Sequence, residues 1–155
     1  MCFDVEFIPD EDSISRQIAA PRQYDLKTKA LIANELFLIR REEGESVNWR
    51  KYATLDQVHN AGCHRQALRI AKGHTPGTYV GALTVLVGAT RRLQTKNGFR
   101  FDIVHFPTDD QSHAEIQYLR VDRAEIEKGE WTDLKGRLAT LFASQLLEPH
   151  VCPRA

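Results

Sequence analysis

The pattern of apolar and polar positions changes period along the chain, from helical spacing to strand spacing and back. Between 55 and 72, apolar residues recur at helical intervals behind Thr54, and Gln57 three residues later completes a capping box. Gly73 follows the last basic residues and is typical of the position just after a helix. The sequence therefore predicts a helix over 55–72.

The next stretch is rich in β-branched and aromatic residues, which are typical of strands. Segments of this kind lie at 78–86, 90–95, 99–106 and 113–118. Gly88 is expected to form a bulge between the first two. Asn97-Gly98 strongly favours a two-residue hairpin turn into the third. These segments predict an antiparallel meander over about residues 78–120.

A second helix is predicted over about 131–147, where apolar residues again recur at helical spacing. The positions that share one face are Leu134, Leu138, Leu141, Phe142 and Leu146. Pro149 ends this pattern, because proline cannot continue a helix, and residues 151–155 are expected to fray.

The first third of the chain has a weaker pattern. Alternation over 3–7 predicts a short strand, and 13–20 is compatible with one or two helical turns before Pro21. Residues 26–41 are predicted as a helix. Its continuous apolar run 36–39 could instead form a strand, so this boundary stays open.

Together these elements predict one α+β domain over 1–155. Its antiparallel meander sheet, over about 78–120, is packed by helices near 55–72 and 131–147. A chain of 155 residues with 42% hydrophobic residues is long enough to bury one core. No internal repeat or long linker divides it.

The charges balance, with 21 basic and 21 acidic residues and a formal net charge of zero. A protein without net charge has no long-range field that attracts nucleic acid or anionic lipid, so binding to either needs a local patch. No stretch approaches the roughly 18 apolar residues that a membrane span requires. The composition therefore predicts no membrane contact.

The cysteines and the N-terminus bear on the compartment. Cys2, Cys63 and Cys152 are odd in number, far apart and without a Cys-x-x-Cys pair, which is typical of free thiols in a reducing compartment. Asp4 and Glu6 stand where a signal peptide would have basic residues. We therefore expect a cytoplasmic protein.

Two histidines and a carboxylate are candidates for chemistry. His113 and Glu115 are two residues apart on a predicted strand and so share a face, and the connection after His105 could bring that residue beside them. Such a group suits acid and base catalysis or a divalent metal. No established metal-binding motif accompanies it, so we assign no metal and no cofactor. The alternative is an ordinary polar strand face.

His59 and Cys63 are four residues apart on the predicted helix and could form a nucleophile or a metal site. A single cysteine that faces a core is usually inert, and no nucleophile-elbow pattern is present. Core packing is therefore the preferred interpretation for Cys63.

Basic residues flank the predicted hairpin. They are Arg91, Arg92, Lys96 and Arg100. This set could lie along a phosphate backbone or meet an acidic partner, although such charges are also commonly solvated and protect sheet edges. Arg65, Arg69 and Lys72 form a second basic stripe, along one side of the helix over 55–72.

Ser46 is predicted to cap a short turn that carries Trp49 and Tyr52. Aromatic residues among hydrogen-bonding groups are suited to contact with a ligand or partner, which makes Trp49 a candidate binding residue. The alternative is that both aromatic rings close one end of the core.

Four blocks of the sequence resemble a loose set of small uncharacterised prokaryotic proteins. The blocks are Ser46-Val47-Asn48-Trp49, Tyr79-Val80-Gly81-Ala82-Leu83, His105-Phe106-Pro107 and Ser112-His113-Ala114-Glu115-Ile116. The resemblance covers about the middle half of the chain. It implies a prokaryotic, intracellular single domain and carries over no activity.

Two classes of function follow from these candidates. The first is a non-catalytic binding or accessory protein for a protein or nucleic-acid partner, and free edges of the predicted strands would allow a homo-oligomer. The alternative is a small hydrolase or group transferase that uses His113, Glu115 and His105. Within that class, Arg16, Ser46 and Glu115 resemble the Arg, Ser, Glu order of part of the ADP-ribosyltransferase superfamily.

Overall fold

The computed structural model describes residues 2–74, 77–120 and 125–154. The strands are β1 (Ser13–Ala20), β2 (Tyr24–Asp25), β3 (Ala30–Leu31), β4 (Glu45–Trp49), β5 (Thr78–Leu86), β6 (Arg100–His105), β7 (His113–Leu119) and β8 (Glu148–Pro149). The α-helices are α1 (Leu55–Ala71), α2 (Val87–Arg91) and α3 (Lys128–Ala143), and Ala33–Glu35 forms a 3-10 turn.

Six strands form one antiparallel sheet in the order β6-β7-β4-β1-β5-β8, and β2 pairs separately with β3. The predicted α+β class with an antiparallel sheet is confirmed. The sheet extends beyond the predicted segment 78–120, because β1 and β4 lie between β5 and β7. Within the six-stranded sheet of the described residues, β6 and β7 are the only neighbours with consecutive numbers, so the order is not that of a simple meander.

Residues 13–20 form strand β1, so the predicted helical turns are wrong. Ile14 and Ile18 are fully buried on one side of this strand. Arg16 lies between them on the same face of the strand. Because it is charged, the alternation of apolar and polar residues that indicates a strand is interrupted. β1 pairs with β5 along all of its eight residues, which fixes it near the centre of the sheet.

The helix predicted over 26–41 is wrong, and so is its alternative strand over 36–39. Leu36 and Ile39 are buried, but in a segment without regular structure. The backbone oxygen of Leu36 accepts a hydrogen bond from Nε2 of Gln23 at 3.1 Å. In a helix, this oxygen would instead accept a backbone N–H four residues later, so the side chain replaces the missing helical hydrogen bond.

Two further expectations for the first third of the chain are wrong. Residues 3–7 form no strand, and Val5 and Phe7 are 71% and 77% exposed. Residues 45–49 form β4 in place of a turn capped by Ser46. This strand places Trp49 fully in the core.

Both long helices are confirmed. Thr54 and Gln57 form the predicted capping box at the start of α1. The backbone N–H of Thr54 donates to Oε1 of Gln57 at 2.8 Å, and the backbone N–H of Gln57 donates to Oγ1 of Thr54 at 3.2 Å. Gly73 follows α1 with a φ of +75°. α3 covers most of the segment predicted as a second helix, and Pro149 lies in β8.

The predicted bulge at Gly88 and the strand over 90–95 are wrong, because the chain forms α2 there. A turn does form at Gly98, which has a φ of +84° and donates its N–H to the oxygen of Thr95 at 3.0 Å. The turn leads from α2 into β6 and does not join two paired long strands.

The two faces of the sheet differ in chemistry. The face that packs on α3, here called the α3 face, carries large apolar residues. They include Ile14, Ile18, Val47, Trp49, Phe101, Ile116 and Phe142 of the covering helix. The opposite face, here called the α1 face, carries Ser15, Gln17, Ser46, Asn48 and His113. A small apolar cluster of Ala53, Val58 and Ala82 joins α1 to it, together with the buried ring of Tyr79 on β5.

Cys63 and Cys152 form a disulfide, so the prediction of free thiols holds only for the exposed Cys2. Strand β8 pairs with Gly81 and Ala82 and carries the chain end back to α1. Gly81 has a φ of +147°, and a side chain there would collide with the backbone of Glu148. The expected frayed tail is therefore wrong at Cys152. Among the described residues, no helix is long and apolar enough to span a membrane.

Candidate functional site

Two adjoining cavities lie between α1 and the edge of the polar α1 face. The larger has a volume of about 440 Å³ and the smaller of about 230 Å³. Arg16, Gln17 and Arg65 line both, so we describe the two adjoining cavities together as one cleft. We call it the arginine cleft, because Arg22 and Arg69 also line its larger part.

The cleft exists because β1 and β4 diverge. The two strands pair only where Ile14 lies opposite Trp49 and Ser15 opposite Asn48. Beyond this point, the guanidinium of Arg16 fills the gap between them. Its Nη1 donates to the backbone oxygen of Ser46 at 2.9 Å, and its Nη2 lies 3.0 Å from Glu45 Oε2. Arg16 therefore forms the floor of the cleft.

Positive charge exceeds negative charge in the larger cavity, whereas the smaller cavity is lined by Asp109 and Asp110 beside Arg16 and Arg65. The larger cavity is lined by Arg16, Arg22, Arg65 and Arg69, and by a single carboxylate, Glu45. Within the part of the chain that the structure describes, no carboxylate lies within 4.0 Å of Arg65 or Arg69. Nε of Arg16 is buried without a hydrogen-bond partner. Such a set of cations is suited to an anionic ligand.

The arginines perturb one another. Burial lowers the pKa of Arg16, Glu45 opposes this shift, and the charge of Arg65 adds to it. The pKa of Arg65 is also lowered, first by partial removal from water and then by the charge of Arg69. Each guanidinium therefore gains when an anion enters the cleft.

Polar residues hold the wall near α1. Gln66 Oε1 accepts the N–H of Tyr79 at 2.6 Å, and the Tyr79 hydroxyl lies 2.8 Å from Nδ1 of His59. Burial raises the pKa of Tyr79 above its ordinary range, so this phenol stays neutral. His59 is itself buried and stacks on His150 with ring centres 4.4 Å apart. Because Cys63 is in a disulfide, the predicted pairing of His59 with a free thiol is excluded.

The smaller cavity contains a hydrogen-bonded serine and histidine. Nε2 of His113 lies 3.1 Å from Oγ of Ser46, and Nδ1 lies 2.8 Å from the backbone oxygen of Phe106. A carbonyl oxygen only accepts hydrogen bonds, so Nδ1 carries the proton of the neutral ring. Nε2 then has a free lone pair, and it accepts the hydroxyl hydrogen of Ser46. His113 is therefore oriented as a base.

A chain of amides and hydroxyls supports this floor. Gln17 Nε2 donates to Oδ1 of Asn48 at 3.1 Å, and Asn48 Nδ2 donates to Oγ of Ser112 at 3.0 Å. The Ser112 hydroxyl donates in turn to Asp110 Oδ1 at 2.8 Å. The side chains on the floor are thus fixed before any ligand enters.

The structure places two of the three predicted catalytic residues, His113 and Glu115, on one face of β7, but only His113 lines the smaller cavity. Glu115 is the register partner of Ser46, so it lies on the same face as His113, where Gln117 donates to its Oε1 at 3.0 Å. His105 lies opposite Ala114, one position from His113, and its side chain therefore points to the α3 face.

His105 is buried in the core at 1% exposure and has no contact with the cleft. Its Nδ1 accepts the backbone N–H of Glu6 at 3.0 Å, and its Nε2 donates to the oxygen of Gln111 at 2.7 Å. The ring packs edge-on against Trp49, with centres 4.9 Å apart. His105 therefore serves the core and belongs to a different part of the molecule from His113 and Glu115.

The predicted basic hairpin is dispersed. Arg91 is bound by Asp10 at 2.8 Å and by Asp102 at 2.9 Å, and it also donates to the oxygen of Ile103 at 3.1 Å. Asp102 Oδ1 accepts the N–H of Ile103 at 2.8 Å. The charge of Arg91 is therefore offset inside the protein.

The other predicted binding residues have different surroundings. Arg92, Lys96 and Arg100 are exposed, and the charge of Lys96 acts on the carboxylate of Glu130, which also accepts hydrogen bonds from Asn97. Trp49 is fully buried, and its indole N–H donates to Asp12 at 2.8 Å. Its ring therefore closes the core and offers no surface to a partner.

Sequence reasoning missed the cleft as a unit. It had marked Arg65 and Arg69 only as a stripe on a helix, and Arg16 only as one member of an Arg, Ser, Glu order. The sequence does contain one indication of the cleft. In β1, the charged Arg16 lies on the same strand face as the apolar Ile14 and Ile18. A charged residue at such a position indicates a strand that borders a polar site.

Comparison with known proteins gives no assignment. No protein-family model, no curated protein and no solved structure matches the chain. The resemblance of the Ser-Val and His-Ala blocks to small prokaryotic proteins stays a prediction. Function has therefore to be argued from the cleft itself.

Proposed function

We propose that the protein is a small group transferase of the ADP-ribosyltransferase type, which uses a nicotinamide dinucleotide as donor. One observation carries the proposal: Arg16, Ser46 and Glu115 stand on the neighbouring strands β1, β4 and β7. Arg16 donates to the backbone of Ser46 at 2.9 Å, and Ser46 lies directly opposite Glu115. These residues are far apart in sequence. Arg16 and Ser46 line the smaller cavity, and Glu115 lies beside it on the strand next to Ser46.

The cations of the arginine cleft suit the diphosphate of such a donor. Arg16 and Arg65 line both cavities, so they lie where the two adjoin. The planar guanidinium group offers paired donors that match two phosphate oxygens. A diphosphate held there would leave the adjoining ribose near Ser46 and His113, which line the smaller cavity, with Glu115 on the strand next to Ser46.

The carboxylate suits the chemistry of the transfer. When the bond between ribose C1′ and nicotinamide breaks, nicotinamide leaves with the bonding electrons and positive charge develops on the ribose. Glu115 stabilises this charge. A lone pair of the acceptor then forms the new bond to C1′, and the acceptor proton passes to Nε2 of His113, whose Nδ1 proton is held by Phe106.

Fluorescence of an etheno analogue of NAD tests the proposal, with water as the simplest acceptor. Wild-type protein is expected to bind the analogue and to hydrolyse it slowly. Glu115→Gln should lower the rate about a hundredfold or more while affinity stays within a few-fold, because the carboxylate acts mainly in the transition state. Glu11→Gln, at an exposed position, is the matched control. Absence of binding by the wild type, or full activity of Glu115→Gln, would overturn the proposal.

A non-catalytic role in binding a protein or nucleic acid is the second proposal. It rests on Arg92, Lys96 and Arg100, which are exposed, and it is weakened because Arg91 is neutralised by two aspartates. Labelled single-stranded and double-stranded RNA and DNA at moderate salt test it. Binding that weakens with salt and with Lys96→Gln supports it, and absence of such binding removes the nucleic-acid part.

The compartment is a separate proposal. The cytoplasmic prediction rested on the acidic N-terminus and on free thiols, but Cys63 and Cys152 form a disulfide. Structural disulfides are typical of oxidising compartments, so the bond favours a location outside the reducing cytoplasm. Thiol labelling of protein taken directly from its source tests this: one reactive cysteine, Cys2, is expected, and three would contradict it.

A further inference from the structure

We infer that the donor carries an additional phosphate monoester, so that a phosphorylated dinucleotide such as NADP is bound in preference to NAD. The inference rests on the proposed function, since it assigns a second anionic group to the ligand of the same cleft. The reason is that a diphosphate bound between Arg16 and Arg65, at the centre of the cleft, leaves two further arginines without an anionic partner from the ligand. These cations are Arg22 and Arg69, at the end of the cleft far from Ser46.

The position of Arg69 carries the argument. Arg69 lies four residues beyond Arg65 on α1, which is about one helical turn, or roughly 6 Å, along the axis. Both arginines line the larger cavity, but only Arg65 also lines the smaller cavity that contains Ser46 and His113. Arg69 is therefore displaced from the reacting end, in the direction in which the rest of a ligand would extend.

Arg22 provides the opposite side of this end of the cleft. It follows β1 directly and lines the larger cavity but not the smaller one. Its nearest carboxylate is Glu35 at 3.6 Å, a long and exposed ion pair that a phosphate could replace. Arg22 and Arg69 thus face one space from β1 and from α1.

The local charges favour a doubly charged group there. Glu45 is the only carboxylate that lines the larger cavity among the described residues, and it is bound to Arg16 on the floor. Arg69 has no carboxylate within 4.0 Å in the described part of the chain. A phosphate monoester carries almost two negative charges at neutral pH and three acceptor oxygens, so it can bind two guanidinium groups at once.

The remaining lining supports a dinucleotide of this size. Gln23 and Gln66 have their side-chain amides engaged by the backbone, which keeps the walls in place. The larger cavity of about 440 Å³ lies within the range of volumes that small-molecule sites have, and it adjoins the smaller one. The cleft can therefore hold a ligand with its reacting ribose at one end and a further phosphate at the other.

Titration calorimetry with NAD and with NADP tests the inference on wild-type protein, Arg69→Gln and Lys72→Gln. Lys72 is an exposed cation at the end of α1 that does not line the cleft, so its variant controls for loss of one charge. Wild-type protein is expected to bind NADP about tenfold more tightly than NAD, since hydrogen bonds to charged groups are strong. Arg69→Gln should bring the two affinities within about twofold, with a larger loss of affinity for NADP than for NAD. Lys72→Gln should keep the tenfold difference.

The outcomes separate the inference from the proposed function. If the wild type binds NAD as tightly as NADP, or if Arg69→Gln weakens both equally, the inference is overturned and the proposed function stands. If neither dinucleotide binds, both are overturned. Equal thermal unfolding temperatures of the three proteins show that the variants are folded.

Discussion

The two faces of the sheet use the same six strands for different purposes. On the α3 face, side chains such as Trp49 and Phe101 are almost fully removed from water and pack in one continuous apolar cluster. On the α1 face, the helix contacts the sheet through a small apolar cluster and the ring of Tyr79, and the smaller cavity opens beside it against β4 and β7. One face is closed by packing and the other is left partly uncovered.

This difference assigns stability and function to opposite sides of one sheet. The burial of apolar area is the main favourable term in folding, so the α3 face supplies most of the stability. Polar side chains on the α1 face gain little from burial, but they are held in fixed positions by the strands below them. A rigid polar surface next to a partly open cleft is what a binding site requires.

Removal of a large side chain from the α3 face should have the largest effect. Phe142 is fully buried and its ring centre lies 4.7 Å from that of Phe37. Phe142→Ala is expected to lower the free energy of unfolding by about 3 to 5 kcal/mol, because a cavity remains. Urea unfolding measures this, with Leu146→Ala, at a 91% exposed position, as the control. A loss below about 1 kcal/mol for Phe142→Ala would contradict the assignment of stability to this face.

The covalent link on the α1 side should come next. The disulfide between Cys63 and Cys152 joins positions 89 residues apart in sequence. Replacing both by serine is expected to cost about 2 to 4 kcal/mol, mainly because the unfolded chain gains freedom. The comparison is made by urea unfolding in a Cys2→Ser background, which prevents mispairing. Equal stability with and without the bond would show that the packing of β8 alone holds α1 in place.

Two glycines compare how closely the two helices pack. A side chain at Gly62 of α1 would collide with the ring of Tyr79, whereas one at Gly136 of α3 would meet open space. Gly62→Ala should therefore lower the free energy of unfolding by about 1 to 3 kcal/mol through overpacking. Gly136→Ala should raise it by up to about 1 kcal/mol through helix propensity. Thermal melting of both variants measures the difference, and effects of the same sign would contradict it.

A pH dependence should give the smallest effect. Burial lowers the pKa of His59, and the charge of His150 lowers it further, although Glu148 and Asp56 oppose these shifts. The folded state therefore favours neutral His59, while the unfolded chain takes up a proton near the ordinary value of 6.5. Stability should thus rise with pH up to about that value and fall slightly below it. His59→Gln should flatten this slope in urea unfolding from pH 5 to 7.

An exposed histidine provides the control for that slope. His64 lies on the same helix as His59 but is exposed to solvent. His64→Gln is expected to leave the dependence on pH unchanged. A slope that survives in His59→Gln would mean that other groups, such as the carboxylates, dominate.

Local signals in the sequence predicted the helices well. The capping box at Thr54 and the apolar stripe through Leu134 and Leu138 depend on residues that are close in sequence, and both helices form. Strand β5 was predicted from composition for the same reason. Interactions within a few residues are therefore sufficient for these elements.

Contacts between distant residues decided the rest. Arg16 interrupts the alternation of β1 because it reaches β4, thirty residues away, and no local pattern reports such a contact. Leu36 is buried in an irregular segment because side chains from β1 and from Gln23 satisfy its backbone. The candidate site was half predicted: His113 and Glu115 share a face, but the position of His105 depends on a register that the sequence does not specify.

The bonds around Arg91 also bear on how the protein behaves at high concentration. At the outer edge of β6, Asp102 occupies the N–H of Ile103 and Arg91 occupies its carbonyl oxygen. An extended chain that approached this edge would find both backbone groups already bound and would have to break an ion pair to add a strand. The guanidinium of Arg91 therefore hinders the addition of further strands to this edge, as in fibre growth. We expect any homodimer to form through another surface.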